Sequence, residues 1–153
     1  MMEIDAFLAD SVEAVNGKIY ALGAGWDMVG VAQFPTRHPR IGLGILIRVP
    51  YDATNRQHKV EITLHDADGG IHPLAQNPSN PEKKLNNLSA SFNIGRPPHL
   101  LPGDSQQVPL AMNLDGMVFE APGSFSFVIS IDGVEVKRLP LRMVEKKRPT
   151  PSV

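Results

Sequence analysis

A chain of 153 residues has room for one well-buried core and too little for two ordinary domains. Its 15 Lys and Arg against 16 Asp and Glu leave a net charge of −1, without the basic face that nucleic-acid phosphates require, so no nucleic-acid partner is expected. The absence of cysteine excludes a disulfide framework, cysteine-ligated zinc and a thiol nucleophile.

The first residues, MMEIDAFLADS, carry no basic segment and an acid at position 3, unlike a signal peptide. The longest apolar runs, such as GLGILI, are far short of a membrane span, so a cytoplasmic protein with no membrane partner is expected. The 13 glycines and 14 prolines make up roughly 18% of the chain against about 12% in average usage. That much punctuation shortens regular elements and favours an all-β domain.

In chain order, residues 3–9 are expected to form a strand. Ile4, Phe7, Leu8, Val12 and Val15 also fit helical spacing, which leaves a helix over 4–15 as the alternative. Asn16-Gly17 is a turn, and KIYALGAGWDMV after it runs into a strand. "RIGLGILIRV", 40–49, is apolar almost throughout, and Gly42 and Gly44 argue for a central strand over a helix, where each would cost about 1 kcal/mol. "HKVEITLHD" alternates with a period of two: His58, Val60, Ile62 and Leu64 on one face, Lys59, Glu61, Thr63 and His65 on the other. Shorter strands are expected at 70–75, 89–95 and 106–113. "SNPEKKLNNL" between them reads as a single helical turn over 81–87, with Asn80 as N-cap and Pro81 at N1.

The C-terminal third is the clearest. Phe125, Phe127, Ile129 and Ile131 alternate with Ser124, Ser126, Val128 and Ser130, and Asp132-Gly133 supplies a type I′ turn. Val134 and Val136 resume the alternation, while Leu139 and Leu141 are one residue out of step, which a bulge near Arg138 would restore. Pro140 cannot donate to a ladder and points to an edge strand. Residues 145–153, EKKRPTPSV, are charged and Pro-rich, a tail beyond a single domain over 1–144. About nine strands with hairpin connections and one helical turn make an antiparallel β-sandwich, with an open barrel as the alternative.

"DAFLADSVEAVNGKIYALGAGWD" and "APGSFSFVISIDGVEVKRLPLRM" resemble the two ends of a family of small bacterial proteins of unknown function. An A-x-L-A-D segment leading to a G-K strand and G-x-G-W, then a P-G-x-aromatic-x-F strand and a D-G turn, carry the likeness. It covers most of residues 3–144 but not 76–88 or the tail. The resemblance implies an immunoglobulin-like sandwich and brings no activity, cofactor or catalytic residue.

The stretch "LHDADGG", 64–70, has the opening of a calcium loop in Asp66 and Asp68. Counting on from Asp66, position 6 is Ile71 and position 12 is Asn77, where such a loop needs Gly and Glu. A turn between two strands explains the same residues. His65 and His72 could meet across that turn, with Glu61 nearby, yet zinc takes three or four ligands, so no metal site is expected. His58, in phase with apolar neighbours, is expected to be hydrogen-bonded at the margin of the core. G-x-S-x-G, H-E-x-x-H and the Walker loop do not occur, so no catalytic residue and no cofactor are assigned.

The expectation is therefore a non-catalytic sandwich acting through contacts with a protein partner or with itself as a homo-oligomer. The free edge for self-association is placed at 3–9. A small-ligand or carbohydrate module is the alternative, with Trp26 and Tyr51 as its exposed aromatics, and an enzyme with an unrecognised site comes third. If strands alternate up and down, the loops 35–40, 66–70, 96–104 and 132–133 share one end of the sandwich. A binding cluster of Arg37, His38, Arg40, Asp66, Asp68, Arg96, His99 and Asp104, with Asp132 beside them, is the candidate site.

Overall fold

The alternating patterns become strands along most of the chain. The computed structural model describes residues 2–77 and 80–146. Among them run β1 (Glu3–Val15), β2 (Lys18–Ala24), β3 (Met28–Val31), β4 (Thr36–Pro50), β5 (Gln57–His65), β6 (Ile71–His72), β7 (Ala75–Asn77), β8 (Asn80–Leu85), β9 (Leu88–Asn93), β10 (Ser105–Phe119), β11 (Gly123–Ile131) and β12 (Val134–Glu145). One sheet has the order β10-β4-β1-β2. The second has the order β3-β12-β11-β5-β6, with β9 also pairing β5, and β7 and β8 form a separate pair. The result is a β-sandwich of two curled sheets.

Ile41, Leu43, Ile45, Ile47 and Val49 line the inner face of β4 with no exposed surface. In the same buried cluster lie Val60, Ile62 and Leu64 of β5, Phe127, Ile129 and Ile131 of β11, and Leu139, Leu141 and Met143 of β12. Burial of each such side chain is worth about 1.5–3 kcal/mol against exposure, so these four strands fix the fold.

The outer face of β4 explains its glycines. Phe7 of β1 stands opposite Gly44, and its ring lies where a Gly44 side chain would be. A Cβ on Gly42 would come within 3.2 Å of the backbone of Ala9 and Ser11, because β1 passes over β4 there. Consecutive residues of β1 are therefore covered for different reasons: Phe7 rests on Gly44, while Leu8 enters the core. Burial on both sides imitates helical spacing, and the seven-residue ladder with β4 resolves it as a strand.

Several expectations are corrected. The span 81–87 is not a helical turn: its first residues belong to β8, whose backbone pairs with β7. Pairing with a neighbouring segment overrides the local N-cap signal. The one helical turn among the described residues is the 3-10 turn Tyr51–Ala53, closed by the Thr54 hydroxyl donating to Tyr51 O at 2.7 Å. KIYALGAGWDMV divides at Gly25 (φ +98°) into β2 and β3, which join different sheets. β3 pairs with β12 in parallel, so the sandwich is not wholly antiparallel.

The β11–β12 hairpin turns through Asp132 (φ 52°) and Gly133 (φ 82°), both left-handed as a type I′ turn requires. Its bulge lies at Val136, between the pairs Ser130–Glu135 and Ile129–Lys137, two residues before Arg138. β12 is an edge only in part, since β3 covers Arg142–Glu145 and stops short of Pro140. Glu145 still belongs to β12, and the Lys146 N–H bonds Val31 O. The rest of the expected tail, from residue 147, lies outside the described residues. No helix among those residues is long and apolar enough to cross a membrane.

Candidate interaction surface

The proposed loop cluster is split between the two ends of the sandwich. β4 and β10 pair from Pro50–Ser105 at one end to Thr36–Phe119 at the other. Fifteen residues at about 3.3 Å each put those ends roughly 45 Å apart. Arg37, His38 and Arg40 lie on β4 itself, opposite Val118, Met117 and Asp115, toward the Phe119 end. Asp66 and Asp68 fall at that end too, in the turn after His65, which pairs with Ser126 early in β11.

Arg96 lies at the opposite end. Its guanidinium stacks 3.7 Å over the Tyr51 ring and donates to Thr54 Oγ1 and Tyr51 O, each at 2.9 Å. His99 and Asp104, in the loop leading to Ser105, and Asp132, beside His58, share that end. The up-and-down count fails because the chain changes sheet between β2 and β3 and adds the β7–β8 pair.

Most of these side chains are occupied by the fold. Asp66 Oδ1 accepts the N–H groups of Asp68 (2.9 Å) and Gly70 (2.8 Å), and Asp104 Oδ2 accepts that of Leu101 (2.9 Å). Arg40 grips Asp115 through Nε (2.6 Å) and Nη2 (3.2 Å) and reaches Ser11 Oγ of β1 through Nη1 (3.2 Å). The His38 ring sits edge-on to Trp26 with centroids 6.3 Å apart. Burial holds its pKa below the usual histidine range, against the opposing pull of the Arg40 backbone and Asp10. His65 and His72 do not meet: His65 stands opposite Ile71 and His72 opposite Leu64, so the two histidines point to opposite faces.

His58 comes nearest to a catalytic arrangement. Buried beneath Asp132, it places Nδ1 2.6 Å from Asp132 Oδ2 and Nε2 2.7 Å from Ala53 O. The Asp132 carboxyl is held below the usual carboxylate range, first by His58 and then by the Lys59 N–H on its other oxygen. A carboxylate and a carbonyl can only accept, so both ring nitrogens donate. A histidine held this way has no free nitrogen to take a substrate proton, and its work is to tie β5 to the β11–β12 turn and to the Tyr51–Ala53 turn.

The sequence motifs did not expose one surface, the ribbon formed by the outer half of β1 with β2. β1 leaves β4 after Ala9 and pairs from there to Val15 with β2. Asn113 of β10 holds it in place across bare Gly42: its Oδ1 accepts the Val12 N–H at 3.0 Å and its Nδ2 donates to Val12 O at 2.9 Å. With the Arg40–Ser11 bond, this anchors one side of the ribbon. Its far side is open, with Leu22 72% and Tyr20 57% exposed. The chain from Ile19 to Trp26 carries neither charge nor proline, so this edge lacks the usual guards against strand pairing. The open edge expected at 3–9 therefore belongs to β2, since 3–9 lies in the ladder with β4. The signal that could have located it was the Asn16-Gly17 turn followed by an uncharged run.

The family model DUF6941, a family of unknown function, matches residues 4–144. The chain belongs to this family. The match runs from β1 to β12 and includes 76–88, which the terminal motifs left out. No curated protein matches the chain. In this DUF6941 protein, the two aromatics expected to be exposed are both half-buried. Trp26 packs against the core and Tyr51 lies under Arg96. The most exposed aromatic side chain is Tyr20, on the ribbon.

Proposed function

We propose that this protein acts without catalysis, through protein contacts made by the β1–β2 ribbon. The observation that carries this is the uncharged, proline-free outer edge of β2, with Tyr20 and Leu22 standing out of the same segment. Edge strands of soluble proteins are ordinarily guarded by charge, proline or a covering element, and an apolar edge left open is where a partner gains most by adding a strand. The commitment of His58, Arg40, Asp66 and Asp104 to internal bonds supports the same conclusion. A photo-crosslinking residue at Leu22 should give discrete higher-mass adducts in the cells that make the protein, while the same residue at exposed Ser124, on the other sheet, should not. Absence of adducts from the ribbon overturns the proposal.

A further inference from the structure

We infer that the strand added to β2 is β2 of a second copy, running antiparallel about a twofold axis through Ala21. This rests on the ribbon being the protein's contact surface and names its partner. In a two-residue type I′ hairpin the residues flanking the turn form a hydrogen-bonded pair, here Val15 and Lys18. Alternation then turns the backbone groups of Lys18, Tyr20 and Leu22 toward β1 and leaves those of Ile19 and Ala21 facing outward. The Asn113 bonds to Val12, whose partner on β2 is Ala21, agree with this phase: Val12 directs its N–H and C=O away from β2.

A twofold perpendicular to the sheet pairs residues on the same face, so paired numbers must sum to an even value. Centring the axis on Ala21, the midpoint of Lys18–Ala24, overlaps all seven residues. Ala21 then exchanges both backbone bonds with its own copy, and Tyr20 stands beside Leu22 of the second copy, twice over. Such pairs of an aromatic with an aliphatic residue at close non-hydrogen-bonded positions are favourable.

The charges fit this register. The single charge in the strand, Lys18, comes opposite Ala24 of the second copy. There the Asp10 carboxylate is packed onto neighbouring Gly23, with its Cγ 2.7 Å from where a Cβ would be. Two Lys18–Asp10 pairs therefore bracket the contact, and a net charge of −1 gives the copies little long-range repulsion. The contact is isologous, so it closes on itself as a dimer and leaves no free β2 edge.

Sedimentation equilibrium across a concentration series, up to about millimolar, tests the inference on the full chain. A monomer–dimer equilibrium is expected. Ala21→Pro should abolish it, because the proline removes an outward N–H that the β1–β2 ladder does not use. Leu22→Lys, at a 72% exposed position, should weaken it without disturbing the fold. Lys18→Glu and Asp10→Lys should each raise the dimer Kd by about tenfold, the scale expected when two exposed ion pairs become repulsive. The double variant should restore it, since reciprocal exchange repairs only a contact between copies. A chain monomeric throughout, or a dimer that survives Ala21→Pro and both charge variants, overturns the inference. A monomer whose Leu22 crosslinks to a different protein removes the second copy yet leaves the ribbon as contact surface, whereas a ribbon silent in both assays removes both.

Discussion

Replacing Asn113 by Ala removes the two bonds that hold the Val12 backbone, 3.0 Å to its N–H and 2.9 Å from its C=O. Each bond contributes about 0.5–1.5 kcal/mol net, and a buried group left without a partner costs about 1–3 kcal/mol. Val12 is 4% exposed, so water can replace the lost partners only in part. A loss of about 2 kcal/mol is expected, which for a chain of this size lowers Tm by roughly 4–8 °C. Asn113→Asp keeps the acceptor for the Val12 N–H and turns a second acceptor toward Val12 O, so it should be no more stable than the Ala variant at neutral pH. Thermal unfolding by circular dichroism measures both, and amide exchange at Val12 should quicken before global unfolding. A loss below about 0.5 kcal/mol for Asn113→Ala, with exchange at Val12 unchanged, would refute the idea that this side chain anchors the ribbon.

Gly44→Ala should destabilise by about 1–3 kcal/mol through overpacking against Phe7, and adding Phe7→Ala should recover part of that loss; additive losses in the double-mutant cycle would show that the two do not touch. The pKa of Asp132 is lowered in the fold, so its contribution is present above the ordinary value of 3.8 and is lost as pH falls through the folded value. Asp132→Asn should therefore be less stable at pH 7 and show a flatter stability curve at the acid end, by a modest amount because the carboxyl is half exposed. His38 is also lowered, so its neutral ring is favoured and stability falls on acidification from its ordinary value of 6.5 down through the folded value. His38→Gln should remove that upper acid limb in a pH-dependent melt and leave the Asp132 limb in place.

Elements whose pattern and neighbours agreed were legible in the sequence. The 123–143 hairpin shows its type I′ turn and a bulge within two residues of the expected place, because the alternation and the Asp-Gly pair act locally. His58 was legible for the same reason: a polar residue in phase with Val60, Ile62 and Leu64 has to be bonded. The region 81–85 was misread because Asn80-Pro81 is a good local helix start, and only the backbone of Ala75–Asn77 decides otherwise. The candidate site failed at longer range. Arg37 and Arg96 each fall in stretches that look like loops, but which end of the sandwich a loop reaches depends on where the chain changes sheet. No local signal marks that change except Gly25. The Asn113 clamp was invisible because it joins positions 101 residues apart through a gap left by a third strand.

The way the two outermost long strands run has a mechanical consequence. β1 starts at the Pro50 end of the sandwich and β12 finishes at the Gly123 end, with Glu3 opposite Arg48 and Met143 opposite Gly123. Tension applied between Glu3 and Glu145 thus pulls both strands along their own length and loads the β1–β4 and β12–β3 ladders in shear. Many bonds must then yield together, whereas pulling between Pro50 and Gly133, both at one end, would peel a hairpin pair by pair. The chain is built to resist stretching between its own ends, and single-molecule pulling from those two pairs of attachment points would register the difference as a higher unfolding force for the first.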